Sequence, residues 1–240
     1  PTGIPVNSVT GNFYDNTDEL QSFFGRVNYK INDKYLFTFT LRADGSTRFG
    51  TNNQYGYFPS GAFAWQLHQE DFIPEAFSTL KMRVGYGITG NQDGLGYGNF
   101  LPRQRFADPS IGNGGEVNPP GFSLVSFANP DLKWEETAQF GIGFDYGFFN
   151  DRLNGSVDIY HKSTTDLLLQ QESAQPAVQP FVFSNLDASV INQGIEFMAN
   201  YDIIQQDDMN WNFGFNVAYN ENEVQDFDGL IQTGGINGNG

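Results

Sequence analysis

The residues of this sequence that could catalyse a reaction are mainly adjacent acids. Glu135 with Glu136 and Glu70 with Asp71 are carboxylate pairs, and paired carboxylates carry out glycoside hydrolysis. Adjacent residues of a β-strand point to opposite faces, so Glu135 and Glu136 cannot share one site. The sequence also has no GxSxG, P-loop or GxGxxG element in a strand–helix context. We therefore predict no catalytic residue and no enzyme.

Metal-binding and nucleophilic side chains are scarce. The chain has no cysteine and only two histidines, His68 and His161, which excludes a disulfide scaffold, a cysteine nucleophile and a histidine-rich metal site. Acids gather at 15–19 and at 226–229, but neither group has the oxygen-ligand spacing of an EF-hand. We interpret them as solvated acids and predict neither a metal site nor a cofactor.

Aromatic and cationic residues that could bind a solute lie in a long segment rich in glycine and asparagine at 90–133. Aromatic faces stack on sugar rings, and arginines satisfy sugar hydroxyls. The alternative is that these residues pack the segment onto itself or onto a partner protein. A second segment of this kind spans 164–190. The candidates for substrate binding in the first segment are Tyr97, Phe100, Arg103, Arg105 and Phe106.

Composition and charge narrow the classes of protein further. The 240 residues include 28 acids and 12 bases, and the resulting net charge of −16 disfavours nucleic-acid binding. Charged residues make up 17%, below the roughly 25% of ordinary soluble domains, and aromatic residues make up 16%. The mean hydropathy is −0.42, and no apolar run approaches the about 18 residues of a transmembrane helix. Dispersed apolar residues with many glycines predict an all-β chain.

Apolar and polar residues alternate with a period of two along most of the chain. This pattern predicts about eight antiparallel strands, each with one apolar and one polar face. Such strands build either a soluble β-sandwich or part of a transmembrane β-barrel. A third possibility is a small closed barrel in which the first and eighth strands pair. The predicted strands cover residues 23–30, 34–42, 57–67, 80–89, 137–148, 153–160, 195–203 and 209–220.

Three features favour the transmembrane barrel. The strands are long, about 10 to 15 residues, whereas soluble strands average about 5–6 and about 9–11 tilted residues cross a bilayer. Tight connections alternate with long ones, 90–133 and 164–190, as periplasmic turns alternate with outer loops in barrels. Aromatic residues lie at strand ends on the apolar face, as in an interfacial girdle. They are Tyr29, Tyr35, Trp65, Tyr146, Phe148 and Trp211 beside the short turns, with Tyr86 and Tyr219 towards the long connections.

In a barrel the polar faces would line a wet lumen. We predict that Arg26, Arg42 and Arg83 face this lumen. Arg42 lies near Asp44 and Arg48, and this group either makes a lumen contact or braces the turn from strand to loop; we favour the brace. Glycines on these faces would permit bending or the close approach of a ligand. They are Gly141, Gly143, Gly147, Gly155 and Gly214.

Short motifs follow one another in a characteristic order from about residue 20 to the end. The densest is 41–50, and others are 22–29, 55–60, 80–87, 89–92, 129–135, 192–196 and 233–238. In these motifs the chain resembles the SusC/RagA family of TonB-dependent outer-membrane transporters of Bacteroidetes. The resemblance covers nearly the whole chain.

The resemblance implies a barrel of about 22 strands. Residues 1–240 would be a partial TonB-dependent receptor β-barrel domain from its C-terminal half, without the plug, the TonB box or the other strands. The chain would lie in the outer membrane of a Gram-negative cell, in contact with lipid, and serve the import of an oligosaccharide or a peptide. The implied partners are a SusD-like surface lipoprotein and TonB, which would act through the N-terminal part. The alternative function is a soluble β-sandwich that binds carbohydrate.

Overall fold

The computed structural model describes residues 17–96, 98–101, 103–107, 110–111, 117–118, 121–126, 128–172 and 181–226, with 103–126, 171–172 and residue 181 described by their backbone alone. No helix among these residues is long and apolar enough to cross a membrane. A single 3₁₀ turn lies at Leu67–Gln69. The strands are β1 (Leu20–Ile31), β2 (Tyr35–Ser46), β3 (Tyr55–Gln66), β4 (Phe77–Asn91), β5 (Arg103–Ala107), β6 (Ser110–Ile111), β7 (Val117–Asn118), β8 (Gly121–Ser126), β9 (Glu135–Phe148), β10 (Leu153–Thr165), β11 (Leu167–Glu172), β12 (Phe181–Leu186), β13 (Ser189–Gln205) and β14 (Asn210–Gln225).

The long strands form one antiparallel sheet of eight, in the order β1-β2-β3-β4-β9-β10-β13-β14. They run from 12 residues in β1 to 17 in β13, far above the about 5–6 residues typical of soluble sheets. The prediction of about eight long antiparallel strands is confirmed. The short strands pair in twos, β5 with β8, β6 with β7 and β11 with β12. They belong to the long connections after β4 and after β10.

The sheet is an open arc. Its edges are β1 and β14, which pair with β2 and β13 but not with each other. The hypothesis of a small closed barrel, in which the first and eighth strands pair, is therefore wrong. Both edge strands are exposed along their whole length.

The register places polar and small residues of all eight strands on one face. A concave pocket of about 840 Å³ opens on this polar face, lined among others by Ser60, Arg83 and Glu196. One row across the middle of the sheet contains hydroxyls, amides and glycines with a single aromatic ring. It runs through Asn28, Thr38, Ala62, Gly85, Gly141, Tyr160, Gly194 and Asn220.

The opposite face is apolar and uncovered. Phe39, Phe213 and Tyr219 on it are 58%, 59% and 67% exposed. Within the described residues no second sheet packs against it, because all eight long strands belong to the same sheet. The β-sandwich alternative is therefore wrong. An uncovered apolar face flanked by aromatic side chains is typical of the lipid-facing side of a membrane barrel.

A charge on the apolar face should destabilise the barrel more than the same charge on the polar face. Phe144 lies on the apolar face of β9, and Ser156 lies on the polar face of β10. We expect Phe144→Arg to cost about 2–4 kcal/mol of unfolding free energy and Ser156→Arg less than about 1 kcal/mol. The measurement is denaturant unfolding of the whole receptor in lipid vesicles. Equal costs for the two variants would contradict the assignment of the faces.

Two tyrosines lie across a glycine of the neighbouring strand and bond to the strand beyond it. Tyr160 passes over Gly194, and its hydroxyl donates to Asn220 Oδ1 at 2.6 Å. Tyr146 passes over Gly155 and donates to the Met198 carbonyl at 3.1 Å. A Cβ on Gly155 would clash with the Met198 carbonyl oxygen and lie 2.6 Å from the Tyr146 hydroxyl, so only glycine fits there.

This arrangement corrects one prediction. The register pairs Gly155 with Tyr146 and Ala199, which places Gly155 on the apolar face rather than on a polar one. Its small size accommodates a ring of this chain and not a lumen ligand. The alternation was misassigned because small residues give no apolar signal of their own.

Gly155→Ala should therefore be more harmful than Gly141→Ala. The nearest atom to a Cβ on Gly141 is the Ile159 carbonyl oxygen at 3.8 Å, an ordinary contact. We expect Gly155→Ala to lose about 1–3 kcal/mol of unfolding free energy through overpacking, and Gly141→Ala to stay within about 0.5 kcal/mol. Unfolding of both variants in vesicles measures the difference. An equal loss in the two would show that Tyr146 does not need the space above Gly155.

The end of the sheet with the short turns carries clustered aromatic rings. Tyr35 and Trp65 lie 5.8 Å apart, and Phe77 and Phe148 lie 4.5 Å apart. The Glu70 carboxylate joins this cluster, since it accepts hydrogen bonds from the Trp65 indole, the Tyr35 hydroxyl and the Lys34 ammonium, each at 3.0 Å. These donors fasten the connection between β3 and β4 to the ends of β2 and β3.

The same donors lower the pKa of Glu70. The hydrogen bond from the Trp65 indole has the largest effect, followed by the one from the Lys34 ammonium. A carboxylate whose pKa is lowered by folding contributes stability above its unfolded pKa of about 4.3, and this is lost as pH falls through the folded value. Glu70→Gln should therefore lower the unfolding midpoint at pH 7, and the difference from the wild type should shrink below pH 4. Exposed Glu75 in the same connection is the matched control. A Glu70→Gln effect that is independent of pH would contradict this account.

Candidate lumen wall and outer rim

The polar face of the eight long strands holds acids and bases in equal number. Their positions follow from the register of the sheet, which alternates them with apolar residues. A wall of this composition carries no net charge. The bases are Arg26, Lys30, Arg42, Lys81, Arg83 and Lys162, and the acids are Asp44, Glu135, Asp145, Asp158, Glu196 and Asp202.

Arg83 joins three strands at the centre of this wall. Its guanidinium donates to both carboxylate oxygens of Asp145, at 2.8 and 2.9 Å, and to Asp158 at 2.8 Å. The three side chains come from β4, β9 and β10 and are each about one-third exposed, and the two carboxylates outnumber the single guanidinium between them. The arrangement can stiffen the wall and still present polar atoms to water.

Arg26 and Arg42 lie on the same polar face in β1 and β2. Arg26 is exposed and donates to the Thr40 hydroxyl at 3.1 Å. Arg42 donates to both oxygens of the Asp44 carboxylate at 2.7 and 2.8 Å, and Asp44 is only 7% exposed. The structure thus places all three predicted arginines on the polar face; that this face is a lumen stays a prediction here.

Beyond Asp44 the chain builds a small apolar core that sequence reasoning missed, which we name the rim cluster. Phe49 and Trp134 pack at 4.5 Å between ring centroids, and Phe58 meets Trp134 edge-on at 5.6 Å. The register places Phe58 on the polar face, so the cluster lies on that side of the strand ends. Its members are Phe49, Phe58, Leu95, Leu132, Trp134 and Leu168.

Polar contacts close the rim cluster. Arg48 pairs with Asp18 at 2.8 Å and donates to the Leu95 carbonyl at 3.3 Å. The Trp134 indole donates to the Gln54 carbonyl at 3.2 Å. The Arg42, Asp44 and Arg48 group thus makes contacts within the chain, as the bracing interpretation expects. The sequence signal that could have revealed the cluster is large apolar residues inside otherwise polar motifs, such as Phe49 and Trp134.

The predicted substrate contacts have different placements. Tyr97 lies outside the described residues, and Arg103, Arg105 and Phe106 lie on β5, whose side chains are not described. Phe100 is partly buried and packs against the rim cluster. Its placement matches the alternative in which the segment packs on itself. A contact between any of these residues and a solute stays a prediction.

Within the described part of the chain, no group of three or more His, Asp or Glu side chains is arranged to hold a metal ion. His68 Nδ1 lies 3.2 Å from the Leu80 carbonyl, and His161 lies against Gln193. Residues 15–16 and 227–229 of the acidic groups, and the motif at 233–238, are outside the described residues. Glu135 bonds to Asn91 and to the Leu168 amide, which gives it a structural contact.

The TonB dependent receptor-like, beta-barrel family model matches residues 1–240. TonB-dependent receptor P39 of Formosa agariphila is 40% identical over 227 residues, which cover 91% of this chain and 21% of that protein. TonB-dependent receptor SusC of Bacteroides thetaiotaomicron is 36% identical over 225 residues, with 88% and 21% covered. The chain belongs to the SusC/RagA family of TonB-dependent receptors. The resemblance in the sequence motifs is confirmed.

A solved structure of a family member has the same arc. The RagAB peptide importer in its open-open state matches with a TM-score of 0.79 and 28% identity, over 90% of this chain and 24% of that chain. The long-stranded, two-faced sheet is therefore the barrel wall of a TonB-dependent receptor. These relatives bear the names of receptors and importers, and none bears the name of an enzyme. The chain spans about a fifth of the length of the curated relatives it matches.

Proposed function

We propose that this chain is part of the wall of an outer-membrane transporter that imports an oligosaccharide or a peptide with energy from TonB. The observation that carries the proposal is the two-faced sheet, with an uncovered apolar face and a concave polar face whose charges balance. The apolar face would contact lipid, and the polar face would line the lumen with Arg26, Arg42 and Arg83 among its side chains. TonB would act through a plug and TonB box outside these 240 residues.

The polar face suits the passage of a hydrated solute. In its middle row Asn28 Oδ1 accepts from the Thr38 hydroxyl and Asn220 Oδ1 accepts from Tyr160, so the NH₂ groups of the two asparagines would donate to hydroxyl or peptide groups of the solute. Arg83 is neutralised by its two aspartates, so it would not trap an anion. A wall without net charge and with weak, repeated contacts lets a large solute move along it.

The outer connections would make the first contacts with the solute and with a SusD-like surface lipoprotein. We assign solute contact to the aromatic and arginine side chains of the connection at 90–133, with the connection at 164–190 as the second contact region. Peptide is the cargo named for the RagAB relative, and aromatic side chains also suit sugar rings. The residues assigned to the solute are Tyr97, Phe100, Arg103, Arg105 and Phe106.

The test is to purify the native protein from outer membranes and determine its intact mass and what accompanies it. We expect a polypeptide several times heavier than 26.8 kDa, bound to a surface lipoprotein. Glycan and peptide analysis of the same sample then identifies the cargo. A soluble monomer of 26.8 kDa would overturn the transporter proposal.

A further inference from the structure

Two long connections meet at the end of the sheet that carries the rim cluster, and one side chain bonds to both. Asn185 lies on β12, in the hairpin that follows β10. Its Nδ2 donates to the Lys133 carbonyl at 2.8 Å and to the Asp166 carbonyl at 2.9 Å, and its Oδ1 accepts from the Lys133 amide at 3.0 Å. One N–H and the carbonyl oxygen of this amide thus fasten the hairpin to the segment that enters β9, and the other N–H bonds to Asp166 at the start of the hairpin.

Other contacts join the same two parts of the chain. Lys133 and Asp166 form an ion pair at 2.8 Å, and Asn129 donates to the Phe183 carbonyl at 2.9 Å. Leu168 of β11 is 7% exposed within the rim cluster, and Phe183 of β12 packs against it. The hairpin is therefore held on the polar-face side of the strand ends, where Phe58 lies.

Side chains alone make this junction. The β11–β12 hairpin is a separate two-stranded sheet and does not extend the main sheet. Between the described residues 128–134 on one side and 166–172 and 181–186 on the other, no hydrogen bond joins one backbone to the other. Loss of the Asn185 amide would leave its partners on exposed Lys133 and half-buried Asp166 to bond water instead, which would release the junction.

We propose that Asn185 is a positioning residue that holds the two long connections together, so that they move as one rigid unit at the outer mouth. A solute or partner that contacts the hairpin then acts on the connection after β4 as well, since neither can move alone while the amide bonds persist. The proposal rests on the proposed function only in taking this end of the sheet as the outer mouth.

The test is hydrogen–deuterium exchange in the whole receptor purified in detergent. We expect Asn185→Ala to speed amide exchange about tenfold both at 166–172 and at 128–134, with β9 and β10 unchanged. Asn212→Ala is the matched control, because it removes one amide bond, to Asp202, at the opposite end of the sheet. Faster exchange confined to 181–188, or no change at 128–134, would overturn the proposal.

A second variant separates hydrogen bonding from packing. Asn185→Asp fills the same volume and keeps the acceptor for the Lys133 amide, but it loses both donors. We expect it to speed exchange at 166–172 and at 128–134 outside the Lys133 amide, which the carboxylate still accepts from; exchange at the wild-type rate in both segments would show that the donors do not join the connections. Hydrogen–deuterium exchange needs no solute, so the proposed junction and the proposed import function are tested independently of each other.

Discussion

In the hydrocarbon core of a membrane no water satisfies backbone amides and carbonyls, so a spanning chain must bond every one of them to itself. The antiparallel ladder of this sheet does so between neighbouring strands of 12 to 17 residues, and within the eight long strands only the outer sides of β1 and β14 are left without a neighbour. Because the ladder uses the backbone alone, side chains remain free to alternate between lipid and water. The two-faced pattern, the long strands and the scarcity of a conventional buried core all follow from that one requirement.

At the two ends of the strands the backbone ladder stops, so side chains must hold the connections in place. At the short-turn end the Glu70 carboxylate accepts hydrogen bonds from three donors at the ends of β2 and β3. At the other end the rim cluster buries Phe49 and Leu132 completely, and amides such as Asn185 bridge its edges. Among the residues whose side chains the structure describes, apolar burial is therefore concentrated at this end of the sheet.

The sequence predicts the spanning strands well because lipid on one face and water on the other impose a strict period of two. It predicts their outer ends poorly. The predicted strand at 195–203 begins at Ser189 in the structure, and the one at 209–220 continues to Gln225. In these extensions polar residues such as Gln193 and Glu221 occupy the apolar face, because the extension has left the hydrocarbon and water accepts either face. Strand pairing therefore continues beyond the point where the alternation of apolar and polar residues ends.

The rim cluster was beyond reach of pattern reasoning for another reason. Trp134 bonds to Gln54 across 80 positions, and Asn185 bonds to Lys133 across 52. No local period encodes such contacts, and the passage of Tyr146 over Gly155 becomes visible only when the register is known. Family motifs mark where these residues lie but not what they touch.

The distribution of charge differs between the polar face and the rest of the chain. Because acids and bases are equal on the polar face, the whole net charge of −16 lies in the connections, the strand ends and the other face. In the described outer connections the bases Arg48 and Lys133 are already paired with Asp18 and Asp166. The excess of acids thus lies away from the polar face of this chain, and its field is screened within about 8–10 Å at physiological salt, whereas the polar face itself is neutral. Under the proposed import function, selection by charge would therefore belong to the connections, and the wall would exchange hydrogen bonds.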